Sequence, residues 1–210
     1  MTLQNFYQNS NKVYKKLFKI FIFIFVLNLQ SWSKADDIRD FQIEGMSIGD
    51  SLLDYYSLKE IKKSEKNPTY FPKSKKFKII FFDAKNKGLY RKITFEIKRK
   101  DKNYIIYGVK GSKPMSKNNC LKKKDEVVQQ IKSVLPNNSS RNYSDNYGNS
   151  YGNSIAYIDH FDTSDGGMIR VWCSVWDANN QIVKNNLWKN TINIGISSKE
   201  LRYFIDNEAY

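Results

Sequence analysis

Residues 91–98 read Arg-Lys-Ile-Thr-Phe-Glu-Ile-Lys, and this alternation constrains the fold more than any other stretch of the chain. Successive side chains of a strand point to opposite faces. Ile93, Phe95 and Ile97 therefore share a buried side, and Lys92, Thr94, Glu96 and Lys98 share the other. A half-buried strand needs partners. Phe77–Asp83, apolar on both faces, is expected as a central strand and Asn103–Val109 as a third, with AKNKGL and RKDKN as hairpin loops. An antiparallel meander follows.

The second half of the chain shows a similar plan. Lys122–Leu135 places Val127, Val128, Ile131, Val134 and Leu135 on one helical face, and Pro136 stops it. Ile155–Phe161, Met168–Asp177 and Trp188–Ile196 are strand candidates, and Asp165-Gly166 is expected as a two-residue hairpin turn between the first two. Residues 137–154, NNSSRNYSDNYGNSYGNS, are polar and of low complexity, with YGNS twice. That composition cannot bury a core and is expected as a mobile loop.

Helix starts are marked three times. In Ser47-Ile-Gly-Asp50 the serine is expected to cap a helix whose apolar stripe is Ile48, Leu52, Leu53 and Tyr56. Ser57-Leu-Lys-Glu60 repeats the signature for a short helix fading by Lys66. Ser197-Ser-Lys-Glu200 opens a closing helix that buries Leu201, Phe204 and Ile205. The fold class expected is α+β, with short helices packed on antiparallel sheet. Helix-then-three-strands appears twice, in halves 36–114 and 115–210 of one domain.

Residues 11–19 carry four lysines and no acid, and an apolar run follows from Ile20 to Leu27. Ser33-Lys34-Ala35 supplies a small-x-small site. A basic segment, a short apolar stretch and such a site describe a secretory signal peptide cleaved after Ala35. The alternative is an uncleaved N-terminal membrane anchor. A spanning helix needs about 20 apolar residues, whereas Lys19 and Gln30 confine this run to 10 positions. The protein is therefore expected in the periplasm or outside the cell.

Two cysteines, Cys120 and Cys173, fit that expectation, because an oxidising compartment would pair them. Two cysteines and one histidine do not make a four-ligand zinc set, so neither a metal nor a cofactor is implied. The net charge is +14, and the 175 residues after Ala35 keep +9 of it. Cationic surfaces neutralise phosphates, but 29 of the 35 basic residues are lysine rather than the arginine that favours bidentate recognition. Nucleic acid is not expected as a partner of an exported chain. An anionic envelope component, a glycan or a lipid headgroup, is the partner this charge fits.

The stretch from Asp37 to Tyr56, DIRDFQIEGMSIGDSLLDYY, resembles the mature start of a family of small, uncharacterised exported bacterial proteins with a G-M-S-x-G-D-S-L-L segment. The closing SSKELRYFIDNEAY, residues 197–210, is similar to that family's end. The family offers no activity to carry over. Gly45-Met46-Ser47 followed by short helices and three strands more distantly resembles the small outer-membrane-assembly lipoproteins and the β-lactamase-inhibitor-like proteins. The lipidation cysteine of the former is missing here, and fold likeness does not transfer function.

Chemistry concentrates in Asp159-His160-Phe161-Asp162-Thr163-Ser164-Asp165, which holds the only histidine. Triads are assembled by folding rather than by adjacency, and no G-x-S-x-G elbow is present. With a two-residue turn at Asp165-Gly166, His160 opposes Val171 and Ile158 opposes Cys173, which puts the histidine at the edge of the apolar, disulfide-bearing face. Tyr157, Asp159 and Phe161 then share the other face with Arg170, Trp172 and Trp176. Aromatic platforms with a carboxylate and a guanidinium suit sugar or peptide recognition. The same face could instead be a second core layer covered by another element, and a loop of odd length would reverse its parity.

Two functions are weighed. The first is a non-catalytic periplasmic binding or envelope-associated module. The second is a small envelope hydrolase acting on glycan or peptide, with Asp159, His160 and Asp162 as acid–base candidates.

Overall fold

A computed structural model describes residues 37–85, 88–135 and 140–210. The expected leader lies outside the described residues, as does Pro136. From Asp37 onward the described chain forms one compact α+β unit. Eight strands make one sheet: β1 (Thr69–Tyr70), β2 (Phe77–Asp83), β3 (Lys92–Lys98), β4 (Ile106–Pro114), β5 (Ser140–Asn146), β6 (Ile155–Asp162), β7 (Met168–Val175) and β8 (Thr191–Ser197). Their order is β1-β2-β3-β4-β8-β7-β6-β5, antiparallel at every step. The four helices are α1 (Leu58–Ser64), α2 (Lys117–Val134), α3 (Gln181–Asn185) and α4 (Lys199–Asn207). No helix among the described residues is long and apolar enough to cross a membrane.

The alternation of β3 does what it dictates. Ile93, Phe95 and Ile97 are fully buried, and their partners Ile80, Val109 and Ile106 lie on the same face. That face continues through Ile192, Ile194 and Ile196 of β8 to Ile169, Val171 and Cys173 of β7. It is covered by α2, through Cys120, Val128 and Ile131, and by the segment from Ile38 to Tyr56. The disulfide Cys120–Cys173, with Cα atoms 5.9 Å apart, ties α2 directly to β7. On the opposite face a smaller cluster, Phe71, Phe77, Leu201, Phe204 and Ala209, seats α4.

Each expected half gains a fourth strand, and the two halves meet at the β4–β8 pair. Both additions are edge strands, β1 from NPTYFP and β5 from the polar stretch expected as a loop. β5 pairs along its whole length with residues 155–161 of β6, while its side chains are almost all exposed. The ladder is made by the backbone, so an edge strand needs no apolar residues.

The expected helix over residues 47–56 is absent. Ser47 Oγ donates to the carbonyls of Arg39 and Phe41 instead of capping, and the Asp50 carboxylate accepts from Ser47 N. Glu44 and Gly45 turn the chain with φ of 52° and 80°, and Ile43 bridges Met46. Gly49 N then bonds Ile106 O, Ile106 N bonds Asp50 O, and Leu52 N bonds Tyr104 O. Pairing with residues 104–106 leaves room for a single 3-10 turn, Leu52–Asp54, capped by Ser51. It also explains why β4 begins at Ile106 rather than Asn103. The Ser57–Glu60 capping box opens α1 as expected. α4 is capped one residue later than expected, by Ser198.

Candidate ligand-binding face

The parity of β6 and β7 decides which side chains can meet, and the hairpin between them sets it. Thr163 N bonds Gly167 O, leaving a three-residue turn, Ser164-Asp165-Gly166, with Gly166 at φ 86°. A turn closed by a left-handed glycine is the usual three-residue solution. One Asp165 oxygen holds it together, accepting from Thr163 Oγ1 at 2.6 Å, Ile38 N at 3.2 Å and Gly167 N at 3.3 Å. The two-residue turn expected from Asp165-Gly166 is one residue too short. His160 therefore opposes Arg170 rather than Val171, and Tyr157 rather than Ile158 opposes Cys173.

That shift divides the expected cluster between the two faces. Tyr157, Asp159 and Phe161 project to the disulfide side under α2, opposite Cys173, Val171 and Ile169. Phe161 is core. Asp159 is buried, ion-paired with Lys124 of α2, and accepts from Asn142 Nδ2 at 3.0 Å. The Lys117 ammonium stands 6.0 Å from the Tyr157 ring. Arg170, Trp172 and Trp176 project to the other side, where His160 joins them.

α4 crosses that second face only along its margin nearest the β6–β7 hairpin. Lys199 lies against Gly166, Leu201 against Gly108, and Arg202 Nη1 reaches Asp162 Oδ1 at 2.6 Å. Beyond this margin the ladder aligns Arg141, His160, Arg170, Gly195, Lys110 and Thr94 in one row across six strands. Trp172 stands in the next row, partly exposed, with the Lys110 ammonium 5.8 Å from its ring. Gly195 adds no side chain between them. A Cβ there would touch Trp172 at 3.5 Å and Lys110 Cβ at 3.7 Å.

His160 is buried, with Nε2 2.9 Å from Asp162 Oδ1 and 3.0 Å from Arg141 Nη2. One nitrogen cannot donate to the carboxylate and accept from the guanidinium at once, so either tautomer satisfies one neighbour only. Burial holds its pKa below the usual 6.5 and the bond to Asp162 offsets this in part, with Arg141 and Arg170 acting in the same direction as burial. The Asp162 carboxyl lies below its ordinary value. Its own burial opposes that, and His160, Arg202 and Arg141 overcome it. Arg170 has a buried Nε with no hydrogen-bond partner in the described structure.

At the far end of this face Trp176 belongs to an aromatic quartet. It stacks on Tyr147 at 4.3 Å and meets Trp188 at 4.5 Å, and Tyr151 stacks on Trp188 at 5.6 Å. Tyr147 Oη and Ser174 Oγ are 2.6 Å apart.

The residues of this face that sequence reasoning missed are Lys110, Arg141 and Tyr147. Lys110 follows Val109 in alternation with Gly108, a signal hidden by ending the strand too early. Arg141 and Tyr147 lay in the polar stretch read as a loop. No group of three His, Cys, Asp or Glu side chains among the described residues could hold a metal ion. What the fold and the face define is a single-sheet α+β protein, stapled and covered on one side and partly open, cationic and aromatic on the other. No family model, curated protein or solved structure matches the chain.

Proposed function

We propose that this chain is a non-catalytic envelope module, exported by a leader spanning residues 1–35, that holds an anionic glycan on the open face of its sheet. The observation that carries the reading is the partly exposed Trp172 ring, on the same face of the sheet as Arg170 and 5.8 Å from the Lys110 ammonium. A partly exposed indole offers a flat apolar platform for a sugar ring, and neighbouring cations supply charge-assisted hydrogen bonds to carboxylate or sulfate groups. Arg141 extends the same row to the sheet edge. The buried disulfide between α2 and β7 suits an oxidising compartment.

The hydrolase reading draws less support, because only His160 and Asp162 of its three candidates meet. Asp159 is ion-paired on the opposite side of the sheet from His160, so the two cannot address one substrate bond. Asp162 is held by Arg202 and His160.

Titrating uronic-acid and sulfated oligosaccharides against wild type and Trp172→Ala by calorimetry tests the proposal. Binding to wild type that the variant loses is expected. No binding by wild type, or equal binding by both, removes the reading.

A further inference from the structure

The segment joining β7 to β8 carries an apolar tip that the glycan face does not use. Between Asp177 and Glu200 the chain contains no acid. Within it Leu187 is 81% exposed, Ile182 40% and Trp188 39%. Lys184 and Lys189, also exposed, flank them, and neither forms an ion pair among the described residues. The nearby Asp177 carboxylate is already engaged by the backbone amides of Asn153 and Asn179.

This tip is held, not frayed. Asn180 Oδ1 accepts from Ile182 N and Val183 N at the start of α3, and Val183 is buried. Leu187 N bonds Lys184 O, Trp188 N bonds Val183 O, and Asn190 O accepts from Met115 N at the end of β4. The Trp188 ring rests on Tyr151 and Trp176. Leu187 sits at φ 53°, a conformation uncommon for a residue with a side chain. The fold thus fixes the most exposed large apolar side chain among the described residues at the apex of a braced turn.

We propose that Ile182, Leu187 and Trp188, with Lys184 and Lys189, form a contact that dips into the surface of an anionic lipid bilayer. Three apolar side chains are too few for a stable protein–protein interface, which takes about 20–30 residues a side. They do suit the boundary between headgroups and acyl chains, where tryptophan is enriched and leucine is buried shallowly. The two lysines would sit at headgroup level, where anionic lipid attracts cations within a Debye length. The inference rests on the envelope location proposed above but not on the glycan face, which belongs to different residues.

The test uses the full chain with vesicles of phosphatidylcholine alone and of phosphatidylcholine mixed with phosphatidylglycerol. Sedimentation should show binding to the mixed vesicles, weakened by salt. Leu187→Asp and the pair Lys184→Glu/Lys189→Glu should each weaken it roughly tenfold or more, with glycan titrations unchanged. Residues 20–27 could bind lipid by themselves, so a second readout reports the tip directly. Brominated lipid should quench an emission component of wild type that Trp188→Phe lacks. Equal quenching of both, unaltered vesicle binding by both charge and leucine variants, or a dimer abolished by Leu187→Asp without vesicle binding would each overturn the proposal.

Discussion

Lys124 of α2 and Asp159 of β6 form an ion pair inside the protein, each side chain less than a tenth exposed. The second Asp159 oxygen accepts from Asn142 of edge strand β5, so this carboxylate joins three elements. Withdrawing two charges from water costs several kcal/mol, and breaking such a pair strands the survivor. Asp159→Ala should therefore destabilise the fold by about 3–5 kcal/mol, whereas Lys124→Met/Asp159→Leu together should come close to wild type. Urea unfolding of the single and double variants checks this, and a double variant no better than the singles would contradict it.

The disulfide makes a related but separable contribution. It closes a loop between residues 53 apart, for which chain entropy gives roughly 4 kcal/mol. Cys120→Ser/Cys173→Ser should lose about 2–5 kcal/mol without changing the far-ultraviolet circular dichroism, since Val128 and Ile131 still seat α2. A reductant should lower the melting temperature of wild type and leave the double serine variant unmoved.

The glycan face predicts a split between affinity and stability. Lys110 is partly exposed and forms no ion pair among the described residues, so Lys110→Ala should leave the melting temperature within a degree or so. If Lys110 meets an anionic ligand, the same variant should weaken binding and flatten its dependence on salt. Calorimetry at two ionic strengths separates these outcomes. An unchanged salt slope would place the ligand elsewhere.

How far the sequence could be read depended on which force set each feature. β2 and β3 were legible because one face of each is core, so alternation or continuous apolarity writes them into the residues. α1 was legible because Ser57 and Glu60 cap it locally. Residues 47–56 carry the same local signature, but backbone pairing to residues 104–106 overrides it, and no pattern in the segment announces that partner. β5 was invisible because an edge strand can pair through its backbone alone. The candidate face failed on a single residue of turn length, since one residue of register moves a whole strand's side chains to the other side. Trp172 and Arg170 remained together because they sit on one strand, two positions apart.

His160 makes the open face sensitive to acid. Its pKa is held below 6.5 in the folded protein, chiefly by burial. The unfolded chain then binds the extra proton first, and stability falls as pH drops below about 6.5. Protonation also sets a cation against Arg141 and Arg170 while strengthening the bond to Asp162, so the loss should be partial. His160→Gln should remove this contribution and leave the opposite slope of the Glu96 carboxyl, so that the variant loses stability as pH rises through this range. A wild-type slope that the variant keeps would assign it to another group.

Glu96 should tilt the same curve the other way. Its carboxyl lies on the α4 side of the sheet, beside Gly108 and Leu201, and burial pushes its pKa up to about 7, against a smaller opposing effect of Lys110. Between its unfolded value of 4.5 and about 7 the folded state holds the proton more tightly. Stability contributed by the neutral acid is therefore present below that window and lost as pH rises through it. A full shift of this size corresponds to an upper bound of about 3 kcal/mol. Glu96→Gln keeps the shape and removes the titration, so it should match wild type near pH 4.5 and exceed it at pH 8. Because His160 and Glu96 slope oppositely over pH 4.5–6.5, wild type should look flatter there than either single variant. Urea unfolding across that range tests both groups together, and a Glu96→Gln curve parallel to wild type up to pH 8 would mean that the carboxyl ionises in the fold at its ordinary value.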